Sequence, residues 1–127
     1  MTDRPIQLLL IEDDAVDQMA FERFMKRESQ PYDYRVADSI ANARDLLSKH
    51  SFDIIIADYT LGDGTCLDLL EELRGTPFIV VSGTGDEGSA ARAMKQGASD
   101  YLIKDPHGSY LMMLPMTVQN ALDAKRA

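Results

Sequence analysis

Short apolar runs alternate along this chain with segments of helical spacing, and this alternation most constrains the fold. The runs are Ile6–Ile11, Asp53–Ala57, Phe78–Val81 and Asp100–Ile103, with a weaker run at Tyr34–Val36. They are continuous rather than alternating, often β-branched, and bounded by polar or glycine-rich turns. Strands that are covered on both faces of a parallel sheet have this pattern. The sequence therefore predicts five buried parallel strands.

Five segments with apolar residues every three or four positions follow these strands. The predicted helical stripes are Val16, Ala20 and Phe24, with Met19 beside them; Ile40, Ala43 and Leu47, after Ser39 as N-cap; Cys66, Leu69, Leu70 and Leu73; Ala90, Ala91 and Met94; and Leu111, Leu114, Val118 and Leu122. The order β-α, five times over, predicts a doubly wound α/β domain with right-handed crossovers. Such sheets bind ligands at the carboxyl ends of their strands.

Composition narrows the class of protein. The 127 residues suit a single domain spanning positions 1–127, and the net charge of −8 argues against direct binding of nucleic acid. Cys66 is the single cysteine, so an internal disulfide is excluded and a reducing compartment is expected. The sequence contains neither a membrane-length apolar run nor a signal-peptide core, so we expect a cytoplasmic protein without a membrane partner.

Polar residues follow four of the predicted strands. They are Glu12, Asp13 and Asp14 after the first strand, Asp58 after the third, Ser82 after the fourth and Lys104 after the fifth. Each alone has a simpler explanation as a helix cap, a turn residue or a solvated side chain. Because the carboxyl ends of parallel strands meet at one edge of the sheet, we expect these groups to form one pocket.

The charges of this pocket predict a divalent cation. A cluster of carboxylates without a cation repels itself and raises the pKa values of its members. Glu12, Asp13 and Asp58 carry −3, which Mg²⁺ and Lys104 together balance, and hard oxygen ligands favour Mg²⁺. Asp14 lies further into the helix turn, and we assign it the capping role.

The chain resembles a response-regulator receiver domain of two-component signalling, of the chemotaxis-regulator type. The resemblance covers essentially the whole length and rests on "LLIEDD", "IIIADY", "VVSG" and "GASDYLIK" in this order and spacing. It implies a flavodoxin-like (βα)5 three-layer sandwich whose five-stranded parallel sheet has the order 2-1-3-4-5.

The resemblance also implies roles for the acids. Asp58 matches the phospho-acceptor of the family. Glu12 and Asp13 match the acidic pair that holds Mg²⁺ together with Asp58, and the carbonyl of Thr60 matches the backbone metal ligand.

Further matches concern the phosphoryl group and the switch. Ser82 and Lys104 match the hydroxyl and the ammonium that contact the phosphoryl group, and the N–H groups of Tyr59 and Gly83 can donate to it. Tyr101 matches the aromatic residue that changes rotamer when Ser82 moves. Its simpler interpretation is a half-buried strand tyrosine.

The function implied is a signalling switch, not an enzyme, that catalyses at most its own phosphorylation and dephosphorylation. Asp58 would take a phosphoryl group from a histidine kinase or phosphotransfer protein. The chain's own histidines, His50 and His107, are interpreted as ordinary surface residues and not as phosphoryl donors. The surface of the fourth helix, fifth strand and fifth helix (α4-β5-α5 in the family's labels) would then dock an effector domain or a second copy. Two alternatives are a Mg²⁺-dependent phosphohydrolase with an aspartyl-phosphate intermediate and a pseudo-receiver that only binds a partner.

The sequence departs from the family pattern at three places. Asp105 separates Lys104 from Pro106, where proline usually follows the lysine directly, so we expect a different loop. Gly62 replaces a common proline and predicts a looser turn, and Gly83 and Gly85 predict a flexible loop. In the last helix, Met112, Met113 and Met116 are interpreted as core residues, with a partner surface as the alternative.

Overall fold

The computed structural model of the chain describes residues 4–27, 32–83 and 87–126. Five strands form one sheet: β1 (Ile6–Ile11), β2 (Tyr32–Ala37), β3 (Ile54–Asp58), β4 (Phe78–Ser82) and β5 (Asp100–Ile103). Their order is β2-β1-β3-β4-β5, and each neighbouring pair is parallel. The predicted sheet and strand order are confirmed.

Within these described ranges, four α-helices accompany the strands: α1 (Ala15–Arg27), α2 (Ile40–Lys49), α3 (Glu87–Lys95) and α4 (Ser109–Arg126). Ser39 caps α2 as predicted, since its hydroxyl accepts from the N–H of Asn42 at 2.9 Å. Helices lie on both faces of the sheet, because α1 and α4 pack on one core cluster while α2 and α3 pack on the other. The three-layer sandwich is therefore confirmed.

The helix predicted after β3 is wrong in detail. Cys66–Leu69 forms one 3₁₀ turn, and hydrogen-bonded turns continue the segment to Gly75. Its hydrogen bonds mix the two spacings, from Leu70 N–H to Leu67 and from Leu73 N–H to Leu69. Cys66, Leu69 and Leu73 are nevertheless buried, so the apolar stripe determined which side chains pack inward but not the hydrogen-bond pattern.

The predicted inward face of α1 is shifted by about one residue. Phe21 is fully buried in this helix, whereas Val16 and Met19 are 68% and 55% exposed. Ala20 and Phe24 are half-buried, and one turn before them, on the same side as Phe21, stands Asp17. A polar residue at the start of the inward stripe concealed its phase, because the sequence pattern counts only apolar positions.

A similar shift affects α3, whose buried residues are Ser89 and Ala93, while Met94 is exposed. In α4, Leu111, Leu114 and Val118 are buried as predicted, and Leu122 packs partly against them. Met112, Met113 and Met116 are 77%, 57% and 72% exposed. Their interpretation as core residues is wrong, because they lie on the face of α4 that points away from the sheet.

A short hairpin that the sequence did not predict follows β3. Thr60–Leu61 pairs with Gly64–Thr65 across the turn that contains Gly62, and Asp63 in that turn accepts the N–H groups of Ile40 and Ala41 at 2.9 and 3.1 Å. Gly64 has a φ of +147°, and a Cβ there would lie 2.4 Å from the carboxylate of Asp68. The turn that we expected to be loose is therefore tied to the start of α2.

Within the described ranges, no helix has both the length and the hydropathy required to cross a membrane.

Candidate functional site

The strand register brings the predicted polar residues to one edge of the sheet. Ile11 pairs with Ala57, Asp58 with Val81 and Ser82 with Ile103. Two ladders continue for one residue beyond the strands, through Glu12 N–H to Ala37 and Lys104 N–H to Ser82, at 2.9 and 2.8 Å. The backbones of Glu12, Asp58 and Lys104 are thereby fixed by the sheet rather than by loops.

The ammonium of Lys104 is the centre of the pocket. Its Nζ lies 2.6 Å from Glu12 Oε1, 2.9 Å from Asp17 Oδ2 and 3.1 Å from Asp58 Oδ2. An ammonium has three N–H donors, so each donor has a carboxylate acceptor. These side chains are largely buried, with Glu12 3%, Lys104 and Asp58 14% and Asp17 29% exposed. The contacts are therefore charge-assisted bonds in a partly desolvated pocket.

Glu12 is held from both sides. Its second oxygen, Oε2, accepts the N–H of Asp14 at 3.1 Å, and its carbonyl accepts the side-chain amide of Gln18. Asp14, the residue before α1 begins, in turn accepts the N–H of Val16 at 3.0 Å. The assignment of Asp14 as the helix cap is confirmed.

Glu12, Asp13 and Asp58 form a group that fits a cation. Each offers a carboxylate oxygen, and these oxygens all lie within 4.8 Å of one another. Asp13 is exposed while Glu12 is buried, so the group opens to solvent on one side. Hard oxygen donors at this spacing, with excess negative charge around them, suit Mg²⁺.

The electrostatics of the pocket support this fit. Burial raises the pKa of Glu12 from 4.5 to about 7; the hydrogen bond from Lys104 opposes this rise, and the charge of Asp58 adds to it. Burial likewise raises the pKa of Asp58 against the opposing effect of Lys104. Burial alone would lower the pKa of Lys104, but its bonds to Glu12 and Asp17 raise it. The carboxylates outnumber the ammonium, so the pocket favours uptake of a proton or a cation.

The remaining predicted residues lie at the same edge. Ser82 is buried at the end of β4, and the exposed Gly83 follows it. Thr60 is exposed in the hairpin, and Tyr101 is half-buried against the core cluster that includes Ala93 of α3. The metal contact of Thr60, the phosphoryl contacts of Ser82 and Gly83 and the rotamer change of Tyr101 stay predictions. Gly85 lies outside the described residues.

Tyr59 differs from the prediction. Its N–H, which we expected to contact a phosphoryl group, donates to the carbonyl of Val81 at 2.9 Å as part of the sheet. A phosphoryl contact would require this bond to break, so we do not retain that role. The buried side chain has another contact, because its hydroxyl accepts from Arg92 Nε of α3 at 3.0 Å. Tyr59, which directly follows Asp58, is therefore linked to α3 through this hydrogen bond.

Asp105 explains how the loop after Lys104 is built without a directly following proline. Its carboxylate accepts the N–H groups of His107 and Tyr110, at 3.2 and 3.0 Å, just before and inside the first turn of α4. Desolvation opposes the charged form, but the hydrogen bonds from Ser109, Tyr110 and His107 lower the pKa of Asp105 overall. The described residues contain no cis peptide bond. Lys104 reaches Glu12 and Asp58 in spite of the changed loop.

Two predictions outside the pocket are confirmed. Cys66 is a buried free thiol, and burial raises its pKa to about 12, so it acts as a small apolar residue. His50 and His107 are both exposed.

Asp17 is the pocket residue that the sequence analysis missed. It stands within α1 rather than directly after a strand, so the rule of strand ends did not include it. The signal that could have revealed it is an acidic residue four positions before the apolar Phe21, on what would otherwise be a continuous inward stripe.

The fold and pocket define a doubly wound α/β domain with an acidic, lysine-centred site at its topological switch edge. A family model described as the response regulator receiver domain matches residues 8–113. The chain belongs to the response-regulator receiver domain family.

Relatives with described roles are longer than this chain. The acid tolerance regulatory protein ActR of Sinorhizobium medicae is 36% identical over an alignment that covers 76% of this chain and 51% of ActR. The cell cycle transcriptional regulator CtrA of Caulobacter vibrioides is 29% identical, with 80% of this chain and 45% of CtrA covered. The chain thus spans about half the length of these relatives.

Solved structures support the fold. A response regulator receiver domain protein from Clostridium thermocellum superposes with a TM-score of 0.79 at 24% identity, covering 95% of this chain and 97% of that one. The signal receiver domain of an HD domain-containing protein from Pseudomonas fluorescens Pf-5 gives 0.81 at 22% identity, with coverage of 97% and 98%.

Proposed function

We propose that this domain accepts a phosphoryl group on Asp58, with Mg²⁺, from a partner histidine kinase or phosphotransfer protein. The observation that carries the proposal is the position of Asp58 between the Lys104 ammonium and a group of carboxylates that could hold a cation. Its carboxylate lies 3.1 Å from Lys104 and shares a cation-sized group of oxygens with Glu12 and Asp13. Phosphoryl transfer depends mainly on such positioning and charge neutralisation.

The chemistry is a transfer between two nucleophiles. A carboxylate oxygen of Asp58 attacks phosphorus while the P–N bond of the phosphohistidine breaks, and the imidazole leaves with the bonding electron pair. Lys104 holds charge at the incoming phosphoryl oxygens, and the Ser82 hydroxyl donates to one of them. Water later attacks phosphorus and breaks the bond to Asp58, which restores the carboxylate and releases inorganic phosphate. The domain is then a self-limiting switch.

Glu12, Asp13, Asp58 and the carbonyl of Thr60 would hold the cation. When bound, Mg²⁺ supplies positive charge that screens the carboxylates from the anionic phosphoryl donor. The pKa values of Glu12 and Asp58 are raised mainly because burial disfavours their charged forms, and the charge of a bound cation would offset that cost.

The test is direct phosphorylation by a small donor. Acetyl phosphate with Mg²⁺ should add the mass of one phosphoryl group to the protein, as measured by intact mass spectrometry. Asp58→Asn should abolish the adduct, since the amide is not a nucleophile, and omission of Mg²⁺ should suppress it. Asp123→Asn, at an exposed acid on α4, is the matched control and should label like wild type.

The two alternatives give other outcomes. Steady release of phosphate from an external phosphoester, many times per protein molecule, would favour the Mg²⁺-dependent phosphohydrolase. Absence of any adduct on a folded protein that binds Mg²⁺ would favour the pseudo-receiver. The intact Glu12, Asp13, Asp58 and Lys104 set supports the switch over the pseudo-receiver, which has no need of these residues.

We place the output on the surface made by α3, β5 and α4, which the family labels α4-β5-α5. Met94, Ile103, Met112, Met113 and Met116 are exposed apolar residues on these elements. Tyr101 in β5 packs against the core cluster that includes Ala93 of α3, and Arg92 of α3 donates to the hydroxyl of Tyr59 beside Asp58. Tyr59 thus connects this surface to the residue that follows the phospho-acceptor.

A movement of Ser82 toward the phosphoryl group, with Tyr101 turning behind it, would change this surface. The measurement is the set of amide chemical shifts with and without beryllofluoride, which mimics the phosphoryl group. We expect changes from Asp58 through β5 and into α4. Changes confined to residues that line the pocket would contradict a switch of this surface.

The partner that docks there is an effector domain or a second copy of the chain. ActR and CtrA extend well beyond their matched parts, and CtrA is named a transcriptional regulator. With a net charge of −8, this domain itself is not expected to contact nucleic acid. The single buried thiol is consistent with the cytoplasmic compartment that we propose.

A further inference from the structure

Asp17 is an acid of the pocket that belongs to neither the cation group nor the strand ends. Its Oδ2 lies 2.9 Å from Lys104 Nζ, yet Glu12, Asp13 and Asp58 make up the candidate cation group without it. It stands on the inward face of α1, where Phe21 is buried one turn later. The carboxylate is therefore placed to act on Lys104 rather than on the cation.

The three acceptors of Lys104 differ in how readily they can be released. Glu12 makes the shortest contact, 2.6 Å, and is 3% exposed, so loss of the ammonium would leave a buried carboxylate without its counter-charge. Asp58 is the acceptor that phosphorylation itself changes, because one carboxylate oxygen becomes the bridging oxygen of an acyl phosphate. Asp17 is the most exposed of the three at 29%, and water can replace the ammonium there.

All three donors of Lys104 are engaged before phosphorylation. If Lys104 is to donate to a phosphoryl group, at least one of these bonds must be exchanged. Exchange at Asp58 alone replaces one acceptor by the new group beside it, but leaves the ammonium drawn toward α1 by Asp17. To approach the phosphoryl oxygens fully, Lys104 must also leave Asp17, the acceptor whose carboxylate water can solvate most readily.

We propose that Asp17 is a positioning residue that competes with the phosphoryl group for Lys104. In the unphosphorylated protein it holds the ammonium toward α1. Phosphorylation exchanges the Asp17–Lys104 bond for a Lys104–phosphoryl bond, so that Asp17 opposes formation of the active state and α1 loses a tether when that state forms. This inference rests on the proposed phosphorylation of Asp58.

The first measurement is the affinity for beryllofluoride at saturating Mg²⁺. Asp17→Asn keeps the shape of the side chain and removes its charge. Because a charge-assisted bond in a partly exposed site has been removed from the competing state, we expect binding to tighten by about three- to tenfold. Glu22→Gln, an equal loss of charge at an exposed position of the same helix, is the control and should bind as wild type does.

The second measurement follows the ammonium itself. In wild-type protein without the phosphoryl mimic, the ammonium protons of Lys104, observed through the ¹⁵Nζ resonance, should be protected from exchange with water. Asp17→Asn should reduce this protection. With beryllofluoride bound, the two proteins should give the same protection, because Lys104 has left Asp17 in both. A residue that only stabilises α1 would change neither the affinity nor this difference between states.

The outcomes separate this inference from the proposed function. Equal or weaker binding of beryllofluoride by Asp17→Asn, with wild type binding normally, overturns the competition and leaves phosphorylation of Asp58 intact. Failure of wild type and variant alike to bind the mimic overturns both proposals. Tighter binding together with unchanged protection of Lys104 in the free state overturns the mechanism through this lysine.

Discussion

The two ends of the sheet differ in how their acidic residues are paired with positive charge. At the amino end, Asp53 accepts from Arg4 at 3.2 Å and from the N–H of Gln7 at 2.8 Å, and the Arg4 side chain is 68% exposed. At the carboxyl end, Lys104 serves Glu12, Asp17 and Asp58 together, and these groups are mostly buried. One acid has two partners at the first end, whereas three acids share one ammonium at the second.

The comparison shows what marks a functional site in this fold. A cavity of about 540 Å³ lies at the amino end, lined by residues that include Phe52, Pro77 and Leu122. It lies away from the acidic pocket, and its acid is already neutralised. The carboxyl end is marked instead by buried carboxylates that outnumber their one ammonium, an imbalance that a bound cation or a proton would relieve.

Removal of the Lys104 ammonium should have the largest effect on stability. Lys104→Met leaves the Glu12, Asp17 and Asp58 carboxylates without their ammonium, and we expect the free energy of unfolding to fall by about 3 kcal/mol. The measurement is urea unfolding of both proteins in the presence of a chelator, at a pH above the Glu12 pKa of about 7 in the wild-type protein. Added Mg²⁺ should restore part of the loss. A fall below about 1 kcal/mol, the size expected for an exposed ion pair, would mean that the pocket is far better solvated than its burial indicates.

The pH dependence of stability should be no larger than this, and its sign is defined by the pKa of Glu12. The pKa of Glu12 is about 7 in the folded protein against 4.5 for the free side chain, so the folded state binds this proton more tightly. Its contribution is complete below 4.5 and is lost as the pH rises through about 7, a change of at most about 3 kcal/mol. The free energy of unfolding, measured with a chelator across this range, should therefore fall as the pH rises.

Two controls sharpen this prediction. Glu12→Gln should flatten the slope, since it removes the titrating group, and Asp53→Asn at the amino end should leave it unchanged. Saturating Mg²⁺ should counteract the fall, because the cation binds the deprotonated carboxylates. A slope that persists in Glu12→Gln would assign the titration to another group.

The smallest effect belongs to the amino end. Arg4→Met breaks an exposed ion pair, and Asp53 keeps the N–H of Gln7, so we expect a loss below about 1 kcal/mol that shrinks further in high salt. Urea unfolding at low and high ionic strength measures it. A loss equal to that of Lys104→Met would remove the distinction between the two ends.

Two failures of sequence-based prediction, in α1 and α3, are failures of helical phase. The strands were found because a buried parallel strand is apolar on both faces, so its pattern does not depend on phase. The inward faces of α1 and α3 were displaced because Asp17 and Ser89 occupy inward positions while Val16, Met19 and Met94 are exposed. Hydropathy assigns polar residues outward, and near a functional pocket this assumption fails.

The sequence by itself determined the layers, the strand order expected of the family, and the convergence of Glu12, Asp58 and Lys104. The layers and the convergence follow from local pattern, because parallel strands of a doubly wound sheet bring their carboxyl ends to one edge. The strand order follows from the resemblance to the family. Only the tertiary structure decided which acids share Lys104, that Tyr59 gives its N–H to Val81, and that Asp105 shapes the loop that precedes α4. These are contacts between side chains or backbones from separate elements, and their distances depend on helix rotation and loop path. Spacing along the chain specifies neither of these, because it records how far apart residues are in sequence and not which atoms meet.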